Sequence, residues 1–229
     1  MRGRNLVLVW FVFVIFTYFG ASTTSDAAEV YHLTGFRSAE FGMTEAQVQK
    51  AIEKDFNVGS KEVIRGDNPG EKTSYLDVPV MNLLPSGGEA HVSYIFGYQT
   101  HKLIQINVGW GAAAGTDGVP ATLKTLAEAA NQLRVYLLGV GYRPDSIMAN
   151  RRMPDGRIVV FRGLDADNRG AALLLTGGAP EKPAEAKAPD IKAELPKPGL
   201  ELSYIVDIKN PDVFHAPSAG PDKATPSKP

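Results

Sequence analysis

The sequence predicts an α+β protein made of two tandem units, in each of which one helix packs on one face of an antiparallel three-stranded meander. Two amphipathic helical segments each precede a group of short alternating strands, so the order helix then strands occurs twice. No helical pattern lies between successive strands, and parallel neighbours need such a crossover. We therefore expect antiparallel sheets in a repeated αβββ arrangement.

The N-terminal segment, up to a predicted cleavage site after Ala27, has the features of a secretory signal peptide. Arg2 and Arg4 give it a positive start, and an almost unbroken apolar run covers residues 6–19. The alternative is a retained inner-membrane anchor through residues 6–21, although that run is shorter than the roughly 20 residues that span a bilayer comfortably. In both cases we expect the rest of the chain outside the cytoplasm, most simply in a bacterial periplasm. We expect the protein to contact the membrane only through this segment, and only if the segment is not cleaved.

Charge and composition exclude several classes of function. The 229-residue chain has a formal net charge of -1, so no overall field favours nucleic acid as a partner. It contains no cysteine, which excludes disulfides, thiolate metal sites, a cysteine nucleophile and a lipidated cysteine.

The clearest helix signal opens the first unit at Thr44. Thr44 and Gln47 form a capping box, and Met43 and Val48 are placed as a hydrophobic staple around it. Apolar residues then recur every four positions from Val48, which predicts a helix over about residues 45–54.

Alternating apolar residues predict a meander of at least three strands between residues 60 and 110. One strand covers residues 73–80, and two more, at 92–96 and 104–110, are joined by a short polar link as an antiparallel hairpin. Residues 65–67, Arg-Gly-Asp, are interpreted as a turn before the first of these strands.

The second unit repeats this order of elements. Leucines at helical spacing predict a helix that begins near Pro120 and is closed by Gly139. The three strands that follow are predicted at about 146–152, 157–163 and 171–176. The turn at residues 153–156, Met-Pro-Asp-Gly, joins the first two.

Residues 177–199 are rich in proline, alanine, lysine and glutamate and cannot build a packed core. Because residues 201–208 again have a strand pattern, we interpret this insertion as a long excursion between two strands of one sheet. The polar, proline-bearing C-terminus is expected to be disordered. The predicted boundaries are 1–27 for the signal peptide, 28–116 for the first unit, 117–210 for the second unit with its insertion, and 211–229 for the tail.

The helix opening Phe41-Gly42-Met43-Thr44, with Val48 following, resembles that of the small outer-membrane-assembly lipoprotein family. That family has helices packed on a three-stranded meander, and the tandem version of the fold is similar to the secreted beta-lactamase inhibitor proteins. The resemblance implies a periplasmic protein-binding module rather than an enzyme. The chain departs from both groups because it lacks the lipid-bearing cysteine of the first and the paired cysteines of the second.

No motif in the sequence predicts a catalytic residue, a cofactor site or a metal site. The glycines of residues 109–115 miss the spacing of a dinucleotide loop, and residues 165–170 resemble a calcium loop but place Arg169 where an oxygen ligand belongs. The four histidines have no metal-ligand spacing, and no nucleophile elbow is present. We interpret residues 109–115 as a linker and residues 165–170 as a hairpin turn.

An excess of arginine marks the second unit. Between residues 134 and 162 there are six arginines and two aspartates. Arg152 and Arg157 are expected to face each other across the 153–156 turn, an arrangement that costs stability unless an anion lies nearby. An anionic envelope component would fit this cluster, and the alternative is an ordinary solvated face.

These features favour a periplasmic protein-interaction or envelope-assembly module, with an envelope protein or an anionic envelope component as its partner. Tyr98, Trp110 and Tyr142 lie at predicted element ends and are candidate aromatic anchors, with partial burial as the alternative. A small-ligand or lipid carrier and a hydrolase with a site not visible in sequence stay open. A closed apolar cavity would favour the carrier, and clustered acids with perturbed pKa values would favour the enzyme.

Overall fold

The computed structural model describes residues 31–85, 87–115, 121–178 and 197–215. Within these residues the chain is a mixed α+β protein with two α-helices and one large antiparallel sheet of eight strands. The predicted fold class and the antiparallel pairing are confirmed. The tandem αβββ arrangement is not confirmed, for two reasons: each helix is followed by four strands, and all eight strands join in a single sheet.

A two-stranded hairpin, β1 (Gly35–Phe36) and β2 (Ala39–Glu40), precedes helix α1 (Glu45–Phe56). The first four sheet strands are β3 (Ile64–Asn68), β4 (Thr73–Met81), β5 (Glu89–Phe96) and β6 (Leu103–Gly111). A short 3-10 helix (Ala112–Ala114) follows them, and helix α2 (Leu123–Gly139) and a second 3-10 helix (Pro144–Ser146) open the other half. The last four strands are β7 (Met148–Arg152), β8 (Ile158–Leu164), β9 (Gly170–Thr176) and β10 (Gly199–Ile205).

The strand order β3-β4-β5-β6-β10-β9-β8-β7 brings the last strands of the two halves together at the centre. There β6 pairs with β10, and Val108 lies opposite Leu202. Two separate sheets would each leave one of these strands as an unpaired edge, and exposed edges invite aggregation. Pairing β6 with β10 therefore removes two edges at once.

One core lies between the sheet and both helices. Val48 and Ile52 of α1 and Leu126 and Leu137 of α2 are buried in the same cluster. The sheet contributes every second residue, in agreement with the period of a half-buried strand: Leu76, Val78, Val92, Tyr94, Ile106, Val108, Leu202, Tyr204 and Leu173. Because all these side chains belong to one cluster, α1 and α2 cover the same face of the sheet.

Helix α1 begins where the sequence predicts. The Thr44 hydroxyl accepts the Gln47 backbone N–H at 3.4 Å, and the Thr44 N–H donates to Gln47 Oε1 at 2.9 Å, which completes the capping box. Asn57 caps the C-terminus of the helix, and its φ of 55° lies in the left-handed region.

Several predictions fall on residues outside the described ranges, namely the signal segment with its cleavage site, Pro120, residues 179–196 and residues 216–229. Strands β9 and β10, which flank the insertion, are neighbours in the sheet. Residues 211–215 make defined contacts: Phe214 N–H donates to the Glu71 carbonyl, and Tyr98 N–H donates to the Asp212 carbonyl. Across the described ranges, no helix has the length and apolar character needed to cross a membrane.

Candidate interaction surface

The face of the sheet opposite the core carries no helix in the described part of the chain, and we call it the open face. Its side chains alternate with those of the core, and its central row is mainly polar or charged. One row crosses six neighbouring strands, and its members are Asp77, Ser93, Asn107, Ser203, Ala172 and Arg162. This row runs from an acidic end at β4 to a basic end at β8.

At the acidic end, Asp77 binds two side chains of the neighbouring strand. Asp77 Oδ2 lies 2.5 Å from His91 Nδ1, and Asp77 Oδ1 accepts the Ser93 hydroxyl at 2.5 Å. The other ring nitrogen, His91 Nε2, lies 3.6 Å from Glu89 Oε1. The side chains of Asp77 and His91 are only 12% and 16% exposed, so these contacts hold them in fixed positions.

The arrangement of this cluster does not match that of an activated serine. The Ser93 hydroxyl is bonded to the Asp77 carboxylate, whereas activation requires contact between the hydroxyl and the imidazole. Among the described residues, no three acidic or histidine side chains converge as a metal site. The cluster therefore provides a rigid polar surface of donors and acceptors.

The centre of the open face is also internally hydrogen-bonded. Gln105 Nε2 donates to Asn107 Oδ1 at 2.9 Å on β6, and the Ser203 hydroxyl donates to Glu201 Oε1 at 2.9 Å on the adjacent β10. Such contacts reduce the rotamer freedom of the side chains before any partner arrives.

At the basic end, a surface groove with a volume of about 380 Å³ lies on β7 and β8, and we call it the arginine groove. Three arginines and four apolar residues line it: Met148, Arg151, Arg152, Met153, Pro154, Val159 and Arg162. It is open to solvent, and arginine supplies much of its wall, so it differs from the closed apolar cavity expected of a lipid carrier.

The predicted pairing of Arg152 with Arg157 is wrong by one residue. Arg152 lies opposite Ile158, and the turn is closed by hydrogen bonds from Met153 N–H to the Arg157 carbonyl at 2.7 Å and from Gly156 N–H to the Met153 carbonyl at 3.0 Å. Arg157 Nε instead lies 2.7 Å from Asp155 Oδ2. Hydrogen bonds from the Arg157 backbone and side chain lower the pKa of Asp155.

The three predicted aromatic anchors lie in different surroundings. Trp110 and Tyr142 belong to the core, with exposed fractions of 2% and 3%, and burial raises the pKa of Tyr142. Tyr98 is partly exposed at the turn between β5 and β6. Its ring meets that of Phe214 edge-on at 5.6 Å, and Lys72 Nζ lies 3.7 Å from the centre of the Phe214 ring. Of the three, only Tyr98 is partly exposed.

Two parts of this surface are absent from the sequence-based prediction. Asp77 and His91 are 14 positions apart in the chain, and only the β4–β5 register brings them together. Arg151 and Arg162 are exposed and belong to the predicted arginine excess, but the sequence does not show that they share one groove with Arg152. The alternation of polar residues along β5 is the signal that would have pointed to the open face.

No protein-family model matches this chain, and neither the curated proteins nor the solved structures searched contain a match. The assignment of function therefore depends on the geometry of the surface described above.

Proposed function

We propose that this protein is an exported interaction module of the bacterial cell envelope, and that it binds another envelope protein on the open face of its sheet. The observation that supports this proposal is the placement of both helices on one face, with a rigid polar surface on the other. The periplasmic address rests on the N-terminal segment, with its two arginines and apolar run.

The open face has the size of a typical protein interface. Eight strands have seven spacings of about 4.8 Å, which gives a width of about 34 Å. A strand of seven residues, the length of β8, β9 and β10, spans about 24 Å. The product is about 800 Å², close to the roughly 800 Å² that each partner buries in a standard interface.

The chemistry of the open face suits a partner that binds reversibly. Interfaces of this kind are about as polar as the rest of a protein surface. Opposite charges at its two ends, Asp77 and Glu89 at one and Arg151 and Arg162 at the other, would fix the orientation of a complementary partner.

We also infer that the two halves of the chain are tandem copies of one helix-plus-meander unit, enlarged from three strands to four. The mirrored strand order and the single helix before each meander support this interpretation. The resemblance at residues 41–48 to the outer-membrane-assembly lipoproteins points to the same class of protein-binding module.

The test is affinity capture from envelope extracts with the exported chain as bait. Asn107→Arg places a long cation at the centre of the open face, and Gln132→Arg makes a similar change on the exposed surface of α2. We expect the wild type and Gln132→Arg to recover the same protein, and Asn107→Arg to recover at least about tenfold less, a loss of about 1.4 kcal/mol. Circular dichroism melts confirm that both variants fold.

Two results would count against the proposal. One is equal recovery of the same protein by a folded Asn107→Arg variant. The other is recovery of no protein by the wild type.

A further inference from the structure

We infer that the arginine groove binds a phosphate ester, a ligand with a phosphate group joined to an apolar or ring-shaped body. This inference rests on the proposed function in treating the open face as the binding surface, and it adds the chemistry of a ligand for one end of that face.

Positive charge is the first property of the groove that favours an anion. Three arginines line the groove, and a guanidinium group stays protonated at every physiological pH. Among the described residues no carboxylate lines the groove, and the nearest acid along the hairpin, Asp155, is hydrogen-bonded to Arg157. Within the described ranges, Arg151 and Arg162 have no ion-pair partner. A bound anion would therefore reduce the repulsion between Arg151 and Arg162.

The backbone of β7 and β8 places the arginines on one face. In a regular strand Val159 and Arg162, three positions apart, would point to opposite faces of the sheet. An irregularity in the β8–β9 register between Val159 and Phe161 places both on the open face, opposite Leu174 and Ala172. On the neighbouring strand, Asn150 has a φ of 53°, in the left-handed region, at the same level.

The irregularity in β8 and the left-handed residue in β7 together determine which side chains line the groove. Arg151 lies opposite Val159 and Met148 lies opposite Arg162, so the two arginines share one face although they come from different strands. Bulges commonly re-aim side chains beside binding sites. Asparagine tolerates the left-handed region better than most residues, so Asn150 suits this position.

The side chains and the size of the groove match the proposed class of ligand. The planar guanidinium fork binds phosphate oxygens in pairs, which gives geometric selectivity as well as energy. Met148, Met153 and Val159 add apolar wall, and the volume of about 380 Å³ exceeds what a lone phosphate needs. It lies in the range of pockets that hold a whole small molecule, roughly 300–1,000 Å³.

The experiment is calorimetric titration of the chain purified from the periplasmic fraction. Glucose 1-phosphate is the soluble probe. Vesicles of phosphatidylglycerol present an anionic phosphodiester as a lipid headgroup, and vesicles of zwitterionic phosphatidylcholine, whose phosphodiester is neutralised by its own cation, are the comparison. We expect saturable binding of one probe, and at least tenfold weaker binding by the double variant Arg151→Gln, Arg162→Gln. Arg157→Gln is the matched control, because it removes one charge from the same hairpin without touching the groove.

The inference is overturned if neither probe binds, or if the double variant binds as tightly as the wild type. It is also overturned if Arg157→Gln weakens binding as much as the double variant, since that result indicates general charge attraction. Asn107, on which the capture experiment depends, lies on β6, three strand spacings or about 14 Å from β8. Failure of the phosphate-ester inference would therefore leave the captured protein unchanged, and the two failures are distinguishable.

Discussion

The buried carboxylate of Asp165 ties the N-terminal part of the described chain to the turn between β8 and β9. Its Oδ2 accepts the Leu33 backbone N–H at 2.6 Å, and its Oδ1 accepts the N–H groups of Asp167 and Arg169, each at 2.8 Å. Asp165 is completely buried. The segment that resembles a calcium loop in the sequence is thus a turn whose first aspartate binds backbone N–H groups.

Asp165→Ala removes the carboxylate that accepts hydrogen bonds from three backbone N–H groups. Each hydrogen bond to a charged group contributes about 1.5–3 kcal/mol, but the N–H groups of the turn can recover part of this from water. We expect a loss of about 4 kcal/mol in the free energy of unfolding. For a chain of this size each kcal/mol lowers the melting temperature by about 2–4 °C, so the expected fall is about 8–16 °C.

Asp165→Asn distinguishes the contribution of Oδ2, which binds Leu33, from that of Oδ1, which binds the turn. The amide keeps one carbonyl oxygen for the turn and places an NH₂ group against the Leu33 N–H, so one contact is lost and the expected cost is about 2 kcal/mol. Asp167→Asn is the control in the same turn, because the Asp167 side chain is 45% exposed and contacts the exposed His32. Its expected cost is below about 0.5 kcal/mol.

The assay for these variants is a thermal melt followed by circular dichroism, with amide hydrogen exchange at Leu33 as the local readout. The reasoning is refuted if Asp165→Ala melts within 2 °C of Asp167→Asn, a margin of about 1 kcal/mol. It is also refuted if exchange at Leu33 is the same in all three variants.

Two further predictions concern the C-terminal segment and the arginine groove. Burial alone would raise the pKa of Asp212, but the Thr100 hydroxyl and two backbone N–H groups outweigh it and hold the pKa below its ordinary value of 3.8. A lowered pKa gives stability that is present above pH 3.8 and is lost as the pH falls through the folded value. In the wild type, the protection of the Tyr98 amide from hydrogen exchange should therefore fall in acid. In Asp212→Asn, this protection should be lower than in the wild type at neutral pH and should not change with pH. At Asn150, replacement by valine should cost about 1–2 kcal/mol in a denaturant titration and weaken phosphate-ester binding, whereas replacement by glycine should preserve both. Equal behaviour of the valine and glycine variants would contradict the role given to the left-handed backbone.

Elements defined by local sequence are predicted well. The cap at Thr44 depends on residues only three positions apart, and the structure has the hydrogen bonds that the spacing predicts. The alternation of β5 and β6 likewise places their apolar residues in the core. Both follow from the periods of helix and strand, which a single sequence shows directly.

The joining of the two halves into one sheet could not be predicted in this way. The β6–β10 pairing connects residues about 90 positions apart, and no local pattern specifies such a partner. Strand β3 was missed for a related reason, since Arg65-Gly66-Asp67 has turn-like composition. In the structure Gly66 lies opposite Tyr75, whose ring covers the glycine where a side chain would stand.

The candidate surface was predicted only in part. The excess of arginine directs attention to the β7–β8 hairpin, but the partner of Arg152 depends on a register that is one residue different from the expected one. Trp110 and Tyr142 are large and lie near element ends, yet the sheet and the helices cover them. Side-chain exposure depends on packing between distant elements, which no local pattern records.

The most direct test of the central proposal is to locate the contact on the protein in living cells. A photo-reactive amino acid introduced at Asn107, on the open face, is compared with the same amino acid at Gln132, on the exposed surface of α2. We predict a discrete protein adduct from position 107 and none from position 132. An adduct from position 132 with none from position 107 would show that the partner binds the helical side, and would contradict the account.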